Sequence, residues 1–265
     1  MKTTQKMSPE LRNSLLIIVT IGLLAAAFGL SSPIPQDPAY HRFADTRTLL
    51  SVHNFWNVVS NFPFLVVGLL GLVGISSHGP RTCLPGLQSA YVVFFSGIFL
   101  TAFGSAYYHL DPANGPLVWD RLPMTIGFAG LFSIIVGEFI SVPGARRLLI
   151  PLLLIGYASV EYWAFTESRG VGDLRPYAVV QFLPMLLIPF ILLSREPEIG
   201  TAKYYWLMLL FYALAKLFEQ LDAAIFAVGE LISGHSLKHL FAAMTPATLL
   251  YALHVRHSNG ASVHE

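Results

Sequence analysis

The sequence predicts an all-α integral membrane protein, a seven-transmembrane-helix bundle with one extra N-terminal helix. Three observations carry this. Of 265 residues 54% are hydrophobic and only 12% charged, about half the charge of a soluble domain. Eight apolar runs follow one another, near residues 14–30, 55–76, 86–109, 118–140, 148–166, 176–194, 204–226 and 235–254. Each is uniformly apolar and close to the roughly 20 residues that span a bilayer core, which excludes the short alternating strands of a barrel.

The run 14–30 follows Lys2, Lys6 and Arg12 and ends in Ala25-Ala26-Ala27. Two readings stand, a retained helix or a signal peptide with a small-residue cleavage site; a retained helix is expected. It belongs to an N-terminal segment, 1–52, that also holds an outer loop. The other seven runs form one core, 53–256, followed by a short tail, 257–265. No stretch between runs is long enough for a second folded domain. The run 55–76 opens on His53, Asn57 and Asn61, four residues apart, a polar stripe suited to hydrogen bonds between helices or to orienting a site. The runs 86–109 and 118–140 meet at a short loop flanked by His109 and Asp120. The run 204–226 carries Lys216, Glu219 and Asp222, and the last begins with His235 and His239.

With the N-terminus inside, the inner segments hold Lys2, Lys6, Arg12, Arg81, Arg146, Arg147, Arg195, Lys203 and Arg256. The outer ones hold Arg42, Arg47, Arg169 and Arg175. Nine against four favours both termini in the cytoplasm. A net charge of +1 offers nothing for nucleic acid, and the single Cys83 excludes an intrachain disulfide. The bilayer is the expected partner; the sequence is silent on oligomeric state.

On this map Ser105, His109, Asp120, His235 and His239 all fall at the outer end. Ionisable groups inside a membrane domain are costly and are functional candidates. His235 and His239, four apart on a helix, share a face and can grip one ion. A catalytic zinc takes three protein ligands and keeps a position for water, and His109 can be the third ligand. The residue after His235 is Ser236, not the Glu of helical zinc proteases. The base must therefore come from elsewhere, and Asp120 is the candidate, moving a proton from the metal's water to a leaving group. Ser105, one turn before His109, can hydrogen-bond that water or a developing oxyanion. Other readings remain open for each residue. The histidines can line a polar cavity, Ser105 can join helices, and Asp120 can pair with Arg121 at a helix start.

Gly104-Ser105-Ala106-Tyr107-Tyr108-His109, followed by Trp119-Asp120-Arg121-Leu122-Pro123-Met124, resembles the alkaline ceramidases. There a Ser, a His four later and an Asp eleven further on precede Leu-Pro-Met, as here. Gly234-His235-Ser236-Leu237-Lys238-His239 resembles their final paired-histidine motif, Asn54-Phe55-Trp56-Asn57-Val58-Val59-Ser60-Asn61 their first core helix, and Asp222 an Asp of their penultimate helix. The resemblance implies a seven-helix zinc amidase that cleaves the amide of ceramide to a sphingoid base and a fatty acid. His109, His235 and His239 would bind Zn2+, Asp120 would act as acid and base, and Ser105 would assist at the oxyanion. The wider superfamily also holds adiponectin-receptor-like proteins and lipid-remodelling hydrolases.

The run 14–30 departs from that pattern. So does Asn54, where the animal enzymes carry a Glu of a calcium site; only Asp37 and Asp45 lie upstream, and Asp45 has Arg47 as a neighbour. Calcium needs about six to eight oxygen ligands, so no calcium site is expected. Asp222, Glu219 and Asn57 are candidates for supporting the metal's histidines, with Asp222 favoured to accept a ring N–H; Glu219 can also pair with Lys216. Three functions compete. The leading one is a zinc amidase of ceramide or a related N-acyl lipid. The others are a hydrolase of another lipid amide or ester, and a receptor-like or transport protein with a structural zinc. Ser105 and Asp120 argue against the last, since a structural site needs neither.

Overall fold

A computed structural model describes residues 8–198 and 202–261. Lys2 and Lys6 of the charge tally, and the last residues of the tail, 262–265, lie outside them. The described residues are helical with no strand: α1 (Pro9–Gly29), α2 (Phe55–Val59), α3 (Phe62–Thr82), α4 (Gln88–Leu110), α5 (Asn114–Phe139), α6 (Val142–Ser168), α7 (Arg175–Ser194), α8 (Ala202–Gln220), α9 (Asp222–Phe226) and α10 (Gly234–Ala261). Every apolar run is helical. Six spans are long and apolar enough to cross a membrane: α1, α2 with α3, α4, α5, α6 and α7. α8 and α10 are not among them, because both carry charged and polar residues toward the site described below.

Three boundaries differ from the sequence expectation. The run 55–76 is two helices, broken at Ser60 and Asn61. Pro63 has no N–H for the carbonyl four residues back, so the ladder stops and restarts. His53 lies before α2, bonded to Thr48 (3.1 Å), and is not part of a helical stripe. The run 204–226 is likewise broken, at Leu221. The expected tail from 257 is helical as far as Ala261.

α4 and α5 form the central pair, flanked by α3 and α6, with α8 against α10 and α10 also on α3. Their contact is close for a local reason. Pro123, inside α5, cannot donate to the carbonyl of Trp119. That carbonyl oxygen rests on Gly104 of α4, where a Cβ would come within 1.9 Å. A small residue lets two membrane helices touch backbone to backbone, and here it draws Ser105 and His109 up to Asp120.

The segment 31–53 folds across the same end of the bundle, pinned by backbone bonds. Leu174 N donates to Ile34 O (2.8 Å), and Gln36 N donates to Glu167 (3.0 Å). Farther along, Ala44 N donates to Asp222 (2.9 Å) and Arg47 to Leu231 O (2.9 Å). Asp45 and Arg47 pair at 2.6 Å, and the bond keeps Asp45 engaged in the loop.

Candidate metal centre

α4, α10 and the covering segment bring three imidazoles together. His109 is in the last turn of α4; His235 and His239 lie on one face of the first turns of α10. All three are buried, and one nitrogen from each lies within 4.8 Å of the others. Nε2 of His109 is 3.2 Å from Nε2 of His239 and 3.3 Å from Nε2 of His235. Such a cluster can hold a metal ion.

The chain fixes each ring differently. Ser60, at the break between α2 and α3, meets Nδ1 of His239 at 2.8 Å. Phe43 of the covering segment lies against the rings of His109 and His235, with centroids 4.7 and 4.5 Å away. Asn54 donates to the carbonyl of His109 (2.9 Å), while Nδ1 of that ring has no hydrogen-bond partner. Gly234 allows α10 to begin against α8 and α9; a Cβ there would stand 2.4 Å from the Phe218 carbonyl oxygen.

Asp222 does not accept a ring N–H. One oxygen accepts the backbone N–H of His235 (2.7 Å) and the other that of Ala44 (2.9 Å). It joins the start of α10 to the covering segment, because α9 begins at Asp222 and turns its carboxylate toward those amides. Glu219 faces two ammonium groups, Lys216 and Lys238 (2.9 Å to the latter), so the Lys216–Glu219 pair expected from sequence is present and Glu219 touches no histidine. Asn57 accepts from Ser236 (3.0 Å) and donates to the Asp45 carbonyl (3.0 Å), joining α2, α10 and the covering segment. Asp222 and Glu219 thus act on backbone or on neighbours of the histidines rather than on their rings, whereas the Asn57 backbone is a hydrogen-bonding neighbour of the His239 ring.

Ser105 and Asp120 are buried and share a cavity wall with His239, and the Ser105 hydroxyl is a hydrogen-bonding neighbour of the Asp120 carboxylate. Asp120 forms no ion pair with Arg121 among the described residues; Arg121 bonds Gln36 instead (2.7 Å). The cavity is about 310 Å³. From Ser105, Asp120 and Lys238 it runs between α4, α5, α7, α8 and α10 into an apolar stretch lined by Leu131, Met185 and Pro246. Size and lining suit a ligand with an apolar body and a few fixed polar contacts.

Sequence reading missed Ser60, Phe43 and Lys238. Ser60 and His239 are 179 residues apart, and no local pattern joins them. Lys238, next to His239 and 3.3 Å from Nε2 of His235, stands inside the motif, where its charge is legible. Cys83 is buried between α3 and α4, and burial pushes its thiol up to about 11, which fits an inert residue.

No protein-family model matches the chain, and no curated protein matches it at significant similarity.

Proposed function

We propose that this chain is a zinc-dependent hydrolase of lipid amides, of the alkaline ceramidase type, cleaving ceramide or a related N-acyl lipid. One observation carries the reading: the spacing of the three Nε2 atoms beside Ser105 and Asp120. Bonds of about 2.0–2.1 Å at tetrahedral angles place ligand nitrogens roughly 3.3 Å apart. The two close separations here are 3.2 and 3.3 Å. Three imidazoles with no fourth protein ligand among the described residues are the donor set of a catalytic rather than a structural zinc.

His109, His235 and His239 would hold the ion. Zinc so held supplies a Lewis acid that brings the pKa of a water to about 7 and polarises a carbonyl. Asp120 takes a proton from the attacking water and delivers it to the leaving nitrogen. Ser105 orients that carboxylate and offers its hydroxyl to charge developing on the carbonyl oxygen. The apolar stretch of the cavity receives the acyl chain. Phe43 and the covering segment shield the rings from bulk water, where their electrostatic effect would be weakened.

The same reading completes the fold. α8 and α10 join the six apolar spans, giving a seven-helix core from α2 and α3 through α10, with α1 packed outside on α7. Arg42, Arg47, Arg169 and Arg175 lie at the metal end, and the larger number of Lys and Arg in the segments read as inner from the sequence supports both termini in the cytoplasm and the site toward the outer face.

Asp120→Asn tests the assignment. The variant should keep zinc and lose about 10²-fold or more in turnover of an N-acyl lipid amide, measured as released fatty acid. Full turnover in that variant would remove Asp120 from the chemistry.

A further inference from the structure

Arg121 follows Asp120 in α5, yet its environment is not that of a simple packing residue. It is 4% exposed. Its guanidinium lies over Trp163 at 4.0 Å, Tyr177 at 4.7 Å and Tyr40 at 5.8 Å. These rings hold the group in place and cover it. Nη2 donates to Gln36 (2.7 Å), a residue of the covering segment that is itself buried. Nη1 has no hydrogen-bond partner, and among the described residues Arg121 makes no ion pair. Yet the residue lines the cavity beside the metal centre.

Three cations line the cavity, Arg121, Lys216 and Lys238, against two carboxylates, Asp120 and Glu219, so one positive charge is in surplus there. Glu219 pairs with both lysines, and of the three cations Arg121 is the one in no ion pair among the described residues. An uncompensated buried charge is expensive, and a buried donor without an acceptor adds to the cost. A planar guanidinium held by aromatic faces, whose Nη1 is buried and meets no acceptor, is suited to an oxygen pair in its own plane.

We propose that Arg121 is a recognition residue whose Nη1 edge binds a carboxylate-type oxyanion of an acyl-chain amphiphile seated in this cavity. The oxyanion belongs either to an acidic headgroup on the substrate or to the released fatty acid. That the amphiphile is a substrate or product rests on the amidase reading; the binding itself does not require the metal.

The test uses the full chain in neutral detergent after metal removal by a chelator, so that the ion cannot supply the anion preference. Binding is compared within two matched pairs: N-palmitoylglycine against N-palmitoylethanolamine, and palmitate against hexadecanol. A charge-assisted bond of this kind makes the acid of a pair bind about tenfold or more tighter than its neutral partner. Preference in the first pair places the oxyanion on the substrate headgroup; preference in the second alone places it on the product. Arg121→Gln should erase the preference by weakening the acids only, and Arg121→Lys should retain part of it. Equal binding within both pairs by the unaltered protein would overturn the proposal, and that comparison needs no variant to fold. Loss of acid and neutral binding alike in a folded Arg121→Gln would also overturn it. A chain with no hydrolase activity at all would still show the preference if Arg121 has this role.

Discussion

The two ends of the helix bundle bury charge in opposite ways. At the end away from the metal centre, Glu138 of α5 is fully buried and fully engaged. Both its oxygens accept from Arg256 of α10 (2.7 and 2.8 Å); Tyr91 of α4 donates to one, and Tyr205 of α8 to the other (2.8 Å). Four helices are joined through one carboxylate. At the metal end, Nδ1 of His109 and Nη1 of Arg121 lack partners, three Nε2 atoms crowd together, and a cavity opens beside them. A carboxylate with both oxygens bonded in this way joins helices and builds the fold. Buried polar atoms without partners next to a cavity are where a ligand could bind.

The contrast can be broken by exchanging the expected consequences. Glu138→Gln leaves the Arg256 charge buried without its carboxylate and should cost about 3–5 kcal/mol of stability, read as a lower thermal midpoint, while metal content in the folded fraction stays unchanged. A variant that lost metal but not stability would show the two ends to be coupled differently. Ser60→Ala acts at the other end. It removes a partner of His239 Nδ1, so metal affinity should fall about 10- to 100-fold with little change in the thermal midpoint of the metal-free protein. Competition with a chelator of known affinity measures it.

The smallest effect belongs to the covering segment. Burial raises the Asp45 carboxyl, but the hydrogen bonds and charge of Arg47 outweigh that and hold it below its ordinary value. Its folded pKa is depressed, so the contribution to stability is present above the unfolded value of about 4 and is lost as pH falls through the folded value. Arg47 is 40% exposed, so the effect should be slight and weakened by salt. In Asp45→Asn the acid limb of the stability curve should shift only a little; a large shift would give the segment a structural weight that the pair does not explain.

Local chemistry made the helices and the histidine pair readable in the sequence. Twenty apolar residues have few alternatives in a bilayer, and His235 and His239 share a helical face whatever surrounds them. The breaks at Ser60 and Leu221 were not read, although Pro63 was in plain view, because a long apolar run hides an interruption that costs it no hydropathy. The supports of the site were misplaced for another reason. Asp222 points to a ring by its position toward the outer end of the run 204–226, whereas Gly234 lets α10 begin so close that the carboxylate reaches the backbone first. Ser60, Phe43 and the Arg121 cage depend on contacts between distant segments, and residue spacing carries no record of them.

The central claim is that the three histidines hold a catalytic zinc. It is tested most directly by purifying the chain without chelator and measuring metal content and hydrolysis of an N-acyl lipid amide on the same sample, alongside His239→Ala. The account predicts about one zinc per chain together with released fatty acid, and neither in the variant. A protein that carries no zinc, or a His239→Ala variant that keeps both zinc and turnover, would contradict it.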